Sequence, residues 1–307
     1  MKVAITGATG LIGPGLIAAL RERGEEVTVL SRDPDQARET LTGDVQAHRW
    51  DPLSAPAPAQ ALAGRDAVVH LAGAPVAQRW SARAKRAIRD SRVEGTRNLV
   101  RGLRELDAAA RPRVLVSSSA IGYYGAHGPE PIDEEAPAGD DFLARVCVDW
   151  EAQARAVVTE LQMRAVQLRT GVVLDRAGGA LAKMLGPFRL GIGGPLAGGA
   201  QYVAWIHPED LVGMMLAALD DERWSGPVNA TAPEPVSNRE LSHALGRALH
   251  RPALLPVPGP ALRLLYGEMA QIVTTGVRAM PAKALVLGYE FAHPRLAEAL
   301  RAALSGA

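Results

Sequence analysis

Three glycines spaced three residues apart, in Thr6-Gly7-Ala8-Thr9-Gly10-Leu11-Ile12-Gly13, limit what this chain can fold into more than any other feature. The run before them, residues 2–5, is β-rich. After them Leu11, Ile12, Leu16 and Leu20 recur at the spacing of one helix face. The glycines therefore fall on a strand-to-helix turn. There the first permits a tight turn, the second lets backbone N–H groups approach a pyrophosphate, and the third lets helix pack on strand. The helix N-terminus adds partial positive charge for the anion. A glycine triplet alone would suit a ligand-free turn equally well. Its place between strand and helix, followed by a second β-rich run at residues 27–30, points instead to a dinucleotide site.

The second run ends in Ser31-Arg32. A site for NAD usually carries an acidic residue at this point to bind the ribose 2′-hydroxyl. A carboxylate would repel a 2′-phosphate, whereas Ser31 can hydrogen-bond it and Arg32 can pair with it bidentately. The alternative is a solvated Arg32 with Asp33 in the acidic role. Asp33 precedes Pro34, however, the pattern of an N-cap followed by proline at the first helical position. The expected cofactor is NADP(H).

Two further runs, residues 67–71 and 165–168, are almost wholly apolar, as is the run at 114–116 after Arg113. Unbroken apolar strands are buried on both faces, which means a parallel sheet between helical layers. The expectation is a Rossmann-type, doubly wound α/β fold over residues 1–232, followed by a smaller, mainly helical substrate lobe at 233–307. In such sheets ligands sit beyond the carboxyl ends of the strands. Residues 186–199 hold six glycines in fourteen positions, and within the segment 175–205 they suggest a long mobile loop that lids the substrate.

Composition narrows the function. A chain of 307 residues with 48% hydrophobic and 22% charged residues can bury a large core. A net charge of +1 gives no reason to expect nucleic acid or an anionic membrane surface. No apolar run reaches membrane-spanning length, the N-terminus shows no signal peptide, and a single cysteine suits a reducing compartment. The expected location is the cytoplasm. The acids and seven histidines show no metal-ligand spacing, so no metal is expected. The oligomeric state, a homodimer included, is left open.

Arg92 stands out in the helix expected over residues 81–106. It falls within the apolar stripe of Ile88, Thr96, Leu99, Leu103 and Leu106. An inward arginine needs an anionic partner. A cofactor phosphate, an internal carboxylate and snorkelling to the surface are the three ways to satisfy it.

Taken in order, Thr6 to Gly13, His70-Leu71-Ala72-Gly73, Ser91-Arg92-Val93-Glu94-Gly95-Thr96, the segment 117–125, Arg169-Thr170-Gly171-Val172-Val173-Leu174, the segment 188–195 and Trp205-Ile206-His207-Pro208-Glu209-Asp210 span the chain. Together they resemble the extended short-chain dehydrogenase/reductase superfamily. The closer likeness is to its atypical, epimerase-like branch with an added C-terminal domain of unknown function. The resemblance implies that Gly7, Gly10, Leu11, Ile12 and Gly13 hold the pyrophosphate, and Ser31 and Arg32 the 2′-phosphate. It places Leu71, Ala72 and Gly73 under the adenosine side and Val173 near the nicotinamide. Arg92 replaces an asparagine usual in the superfamily and, in this branch, resembles a cofactor ligand.

The catalytic pattern departs from the superfamily. Its machinery is a serine plus Tyr-x-x-x-Lys on the following helix. Ser119 matches the serine, but with Glu151 as anchor Leu143 takes the tyrosine position and Cys147 the lysine position. Leucine donates no proton, and cysteine is no permanent cation. Tyr123 and Tyr124, just past Ser119, are the remaining candidate donors, with packing under the sheet edge as their alternative. Cys147 shares an apolar helical pattern with Leu143, Val146 and Trp150, which suits a buried, inert thiol. His207, ahead of Pro208, fits capping or packing at least as well as acid–base work. Glu268, beside Tyr266, is a further residue that would face substrate. The expected activity is NADP(H)-dependent oxidation, reduction or epimerisation of a small polar carbonyl, alcohol or sugar-nucleotide compound. The alternative is a non-catalytic NADP(H)-binding protein that senses redox state or regulates a partner.

Overall fold

The computed structural model describes residues 1–41 and 45–305. Its centre is a seven-stranded sheet built from β1 (Lys2–Thr6), β2 (Glu26–Ser31), β3 (Gln46–Arg49), β4 (Ala67–His70), β5 (Val114–Ala120), β6 (Arg164–Thr170) and β7 (Gly226–Ala230). The order across the sheet is β7-β6-β5-β4-β1-β2-β3, and every pairing is parallel. The direction of winding reverses between β1 and β4, so a crevice opens beyond their carboxyl ends. This is the Rossmann-like arrangement that the unbroken apolar runs predict.

Successive residues of each strand feed opposite cores. Val3 and Ile5 of β1 pack with Leu16, Ile17 and Leu20 of α1 (Gly13–Glu22) on one face. Ala4 packs on the other with Leu99, Val100 and Leu103, which belong to the long helix α3 (Ala82–Arg104). Between them in sequence lies α2 (Pro34–Thr40), whose N-cap is Asp33: its carboxylate accepts the Gln36 amide at 3.1 Å. Helix α4 (Phe142–Leu161) lies beside α3, and its Ala154, Val157 and Leu161 complete the second core.

β5 runs to Ala120, four residues past the apolar run, because β6 supplies backbone partners through the pairs Ser119↔Arg169 and Ala120↔Thr170. Pairing with a neighbouring strand overrides the polar character of Ser117, Ser118 and Ser119.

The glycine-rich stretch differs from expectation. Helix α5 (Gly179–Arg189) takes in its first residues, with Pro187 inside the helix. Gly193, Gly194 and Pro195 are buried. Val257 donates its amide to Pro195 and accepts that of Ala197, each at 2.9 Å. A side chain at Gly194 would lie 2.2 Å from the Leu255 carbonyl oxygen. Gly193 and Gly194 thus permit close packing against the Phe188 ring and the Leu255 backbone.

A third core joins Leu174, Leu181, Leu185, Phe188 and Trp205 to α7 (Asn238–Ala248) and α9 (Leu296–Ser305). Ser237 and Glu240 form a capping box at the start of α7. Helix α6 (Pro208–Asp220), whose N-cap is His207, packs into the first core beside α1. The exposed α8 (Gly259–Tyr266) precedes a 3₁₀ turn at Gly267–Ala270. No helix among the described residues is long and apolar enough to cross a membrane.

Candidate functional site

The glycine turn stands at the head of the crevice. Gly7 has φ +69°, and a Cβ there would lie 2.7 Å from the Ala72 nitrogen. The turn after β1 thus rests directly on the turn after β4, where Leu71 donates its amide to Thr6 at 3.0 Å. Gly13 lets α1 start against the turn, since a Cβ would come within 2.0 Å of the Ala8 carbonyl oxygen. No side chain among the described residues caps the α1 N-terminus. Its amides are therefore available to an anion. Leu11 is exposed and reaches Gly178, five residues past Val173.

Below this turn sits His70, fully buried. Its ring bridges the Thr6 hydroxyl at 2.6 Å and the Thr96 hydroxyl at 2.9 Å, joining β1, β4 and α3. Burial pushes its pKa down to about 4 from 6.5. The unfolded chain therefore binds a proton that the fold excludes as pH drops below 6.5. Stability from this group is intact above that pH and falls by about 1.4 kcal/mol at about pH 5.5. Urea titrations at about pH 7.5 and 5.5 should show this loss in wild type and a smaller one in His70→Gln. An equal loss in both proteins would contradict it.

At the end of β2, Arg32 is exposed and makes no side-chain hydrogen bond or ion pair among the described residues. The Arg32 carbonyl accepts Nη1 of Arg49 at 2.9 Å, which brings a second guanidinium to this corner. Sequence reasoning missed Arg49, because only the β2–β3 register sets Arg49 beside Ser31. The Ser31 hydroxyl donates to the Asp33 carbonyl at 2.9 Å and accepts the Asp33 amide at 3.2 Å. Asp33 itself is engaged as a cap.

Arg92 points at Gly73, with its Cζ 3.2 Å from where a Cβ on Gly73 would sit. Its Nη1 donates to the carbonyls of Ala74 at 3.0 Å and Ile88 at 3.1 Å, and its guanidinium lies 5.2 Å from the centroid of the Trp150 ring. No carboxylate among the described residues pairs with it. Burial lowers its pKa. Of the three ways to satisfy this arginine, an internal carboxylate is thereby removed.

Beyond β5 and β6 lies a buried polar network. Ser119 donates to Oε1 of Glu151 at 2.7 Å, and Arg169 grips both Glu151 oxygens at 2.8 and 2.9 Å. Arg169 also donates to the Tyr124 hydroxyl at 3.0 Å, which in turn donates to Asn229 at 2.6 Å. Tyr124 is therefore fully committed, and burial pushes its pKa up to about 12. This placement matches the packing alternative for Tyr124 and leaves its hydroxyl donating to Asn229. The Tyr123 ring lies under the Arg169 guanidinium, 3.4 Å from centroid to Cζ, with its hydroxyl unbonded among the described residues. Sequence reasoning misses Glu151 and Arg169 as site residues, although a strand arginine in an apolar run calls for a carboxylate.

Cys147 is buried on α4, and burial, with Glu151 nearby, pushes its thiol up to about 12. Glu268 pairs with Lys85 of α3 at 2.5 Å, so its carboxylate bridges two parts of the chain. Lys85 in turn stands 5.1 Å from the Phe142 ring.

Two family models match this sequence: the NAD dependent epimerase/dehydratase family over residues 3–230, and a domain of unknown function, DUF1731, over residues 257–303. Among curated proteins, an epimerase family protein SDR39U1 homolog, chloroplastic, of Arabidopsis thaliana is 39% identical, the match covering 98% of this chain and 86% of that protein. The Homo sapiens epimerase family protein SDR39U1 is 36% identical over 98% of this chain and 99% of its own length. A crystal structure of human SDR39U1 with NADPH superposes with a TM-score of 0.88 at 34% identity, covering all of both chains. A Bacillus cereus UDP-glucuronic acid 4-epimerase shares the fold, with a TM-score of 0.79 at 18% identity over 99% of this chain and 98% of its own.

Proposed function

We propose that this chain, which belongs to the NAD dependent epimerase/dehydratase family, binds NADP(H) across the carboxyl ends of β1, β2 and β4 and acts on a small polar carbonyl, alcohol or sugar-nucleotide compound. The observation that carries the reading is Arg92, a half-buried guanidinium with no carboxylate partner among the described residues, which faces Gly73 at the crevice. A cation so placed suits a cofactor phosphate. The NADPH bound in the human SDR39U1 structure supports the same choice.

In this reading the turn formed by Gly7, Gly10, Leu11, Ile12 and Gly13 cradles the pyrophosphate. Arg32 takes the 2′-phosphate, with Ser31 released from Asp33 and Arg49 adding charge. Leu71, Ala72 and Gly73 flank the adenosine side, and Val173 the nicotinamide end. When bound, the nicotinamide gives or accepts a hydride. Ser119 meets substrate only if its hydroxyl turns from Glu151, and Tyr123, rather than Tyr124, is the proton donor.

Arg92→Leu should weaken NADPH binding at least about tenfold, the scale of one charge-assisted hydrogen bond. It should not lower the melting temperature of the cofactor-free protein, because leucine suits the helix stripe. Normal binding with a lower melting temperature would make Arg92 a packing residue instead.

The lack of a tyrosine–lysine pair and the engagement of Ser119 by Glu151 favour a second reading, a non-catalytic NADP(H) sensor. NADPH oxidation across aldehydes, ketones and sugar nucleotides separates the two. Catalysis predicts slow turnover, since general acid assistance of about 10²–10⁴-fold is weakened, with a further drop in Ser119→Ala. Fast turnover that survives Ser119→Ala would place the chemistry elsewhere, and tight NADPH binding without turnover would select the sensor.

A further inference from the structure

His207, Glu209 and His293 meet where the start of α6 touches the segment leading into α9. One ligand atom from each lies within 4.8 Å of the others. The two imidazole rings are tilted at 45° to each other with centroids 3.8 Å apart, and Nε2 of His293 is 2.7 Å from Oε2 of Glu209. The arrangement is held from beneath. The buried carboxylate of Asp210 accepts the amides of Ala292 at 2.7 Å and His293 at 3.0 Å, and the Tyr289 hydroxyl donates to the Asp210 carbonyl. The backbone of His293 is thus fixed to the residue next to Glu209.

Two imidazoles and a carboxylate form the donor set that zinc-class ions take in three-ligand sites, which leave one position open. We propose that these three side chains bind a divalent transition-metal ion, of which zinc is the type, and that the ion clasps the C-terminal domain to the nucleotide-binding domain. Residues 207 and 209 fall in the segment matched by the epimerase family, and residue 293 in the segment matched by DUF1731. A shared ion therefore joins two modules that are far apart in sequence. The positive end of α6 opposes a cation here, but Glu209 and Asp210 in its first turn offset that field. His207 Nδ1 takes only a long 3.3 Å hydrogen bond from the Glu209 amide, so little is lost when the ring turns a lone pair to the ion. Glu209 is 68% exposed, so metal enters from solvent without unfolding.

The test is calorimetric titration of zinc into the full-length, tag-free protein after chelator treatment, beside Glu209→Gln and His293→Ala. The proposal expects saturable binding of one ion per chain, weakened at least about tenfold in each variant; loss of an outer-shell partner alone costs about 10–100-fold. Zinc should also raise the melting temperature of wild type and fail to do so in the variants. If His293→Ala loosens the C-terminal segment, Glu209→Gln, altered only at an exposed carboxylate, decides. Absence of saturable binding, which would leave only the His293–Glu209 pair, overturns the proposal. So does an affinity unchanged in both variants, which would put zinc elsewhere.

Discussion

Replacing Arg169 with methionine should destabilise the protein by about 3–5 kcal/mol, the range for removing one partner of a buried ion pair. Arg169 and Glu151 are 2% and 1% exposed, and the guanidinium supplies two of the hydrogen bonds that satisfy the carboxylate. Without it Glu151 keeps the Ser119 hydroxyl and a 3.6 Å approach from Arg155, which is half exposed and screened. The Tyr124 hydroxyl and the Glu134 carbonyl lose a donor as well. Exchanging both partners, as Glu151→Leu with Arg169→Met, should cost much less than the single change, because no uncompensated charge remains. Urea denaturation followed by circular dichroism measures both. A loss below about 1 kcal/mol in Arg169→Met would show that the carboxylate is solvated some other way.

That network also marks where the sequence stops being legible. The fold could be read because its signals are local: three glycines at fixed spacing, apolar runs of strand length, and a proline after Asp33. Each depends on neighbours within a turn or two of chain. Ser119 matches the superfamily serine by local sequence, whereas its hydrogen-bond partner Glu151 lies 32 residues on and is positioned by α4. Tyr124 looked available until Asn229 arrived from β7, 105 residues away. The glycines at 193 and 194 suggested mobility when read alone. What they accommodate is the Phe188 ring and the backbone of Leu255, and only the folded chain brings the latter close. Arg92 was legible as an inward cation, but which of its possible partners exists was not, since that depends on carboxylates from other elements.

The second large effect concerns the cofactor. Arg32 is an exposed guanidinium at the end of β2 without a side-chain partner among the described residues, Asp33 is engaged as the α2 cap, and Arg49 adds charge beside it. A corner where Arg32 and Arg49 bring two cations and Asp33 is taken up as a cap favours a 2′-phosphate over a 2′-hydroxyl. One charge-assisted phosphate pair contributes about 1.5–3 kcal/mol, which is tenfold or more in affinity. Arg32→Ala should remove that advantage while leaving NADH binding nearly unchanged, because NADH offers this side chain no phosphate.

Calorimetric titration of NADPH and NADH into wild type and Arg32→Ala is therefore the most direct measurement. The predicted result is at least about tenfold tighter binding of NADPH by wild type, with the preference largely gone in Arg32→Ala. Equal affinities for the two nucleotides in wild type, or a preference that Arg32→Ala leaves intact, would contradict an NADP(H) site at this corner of the sheet.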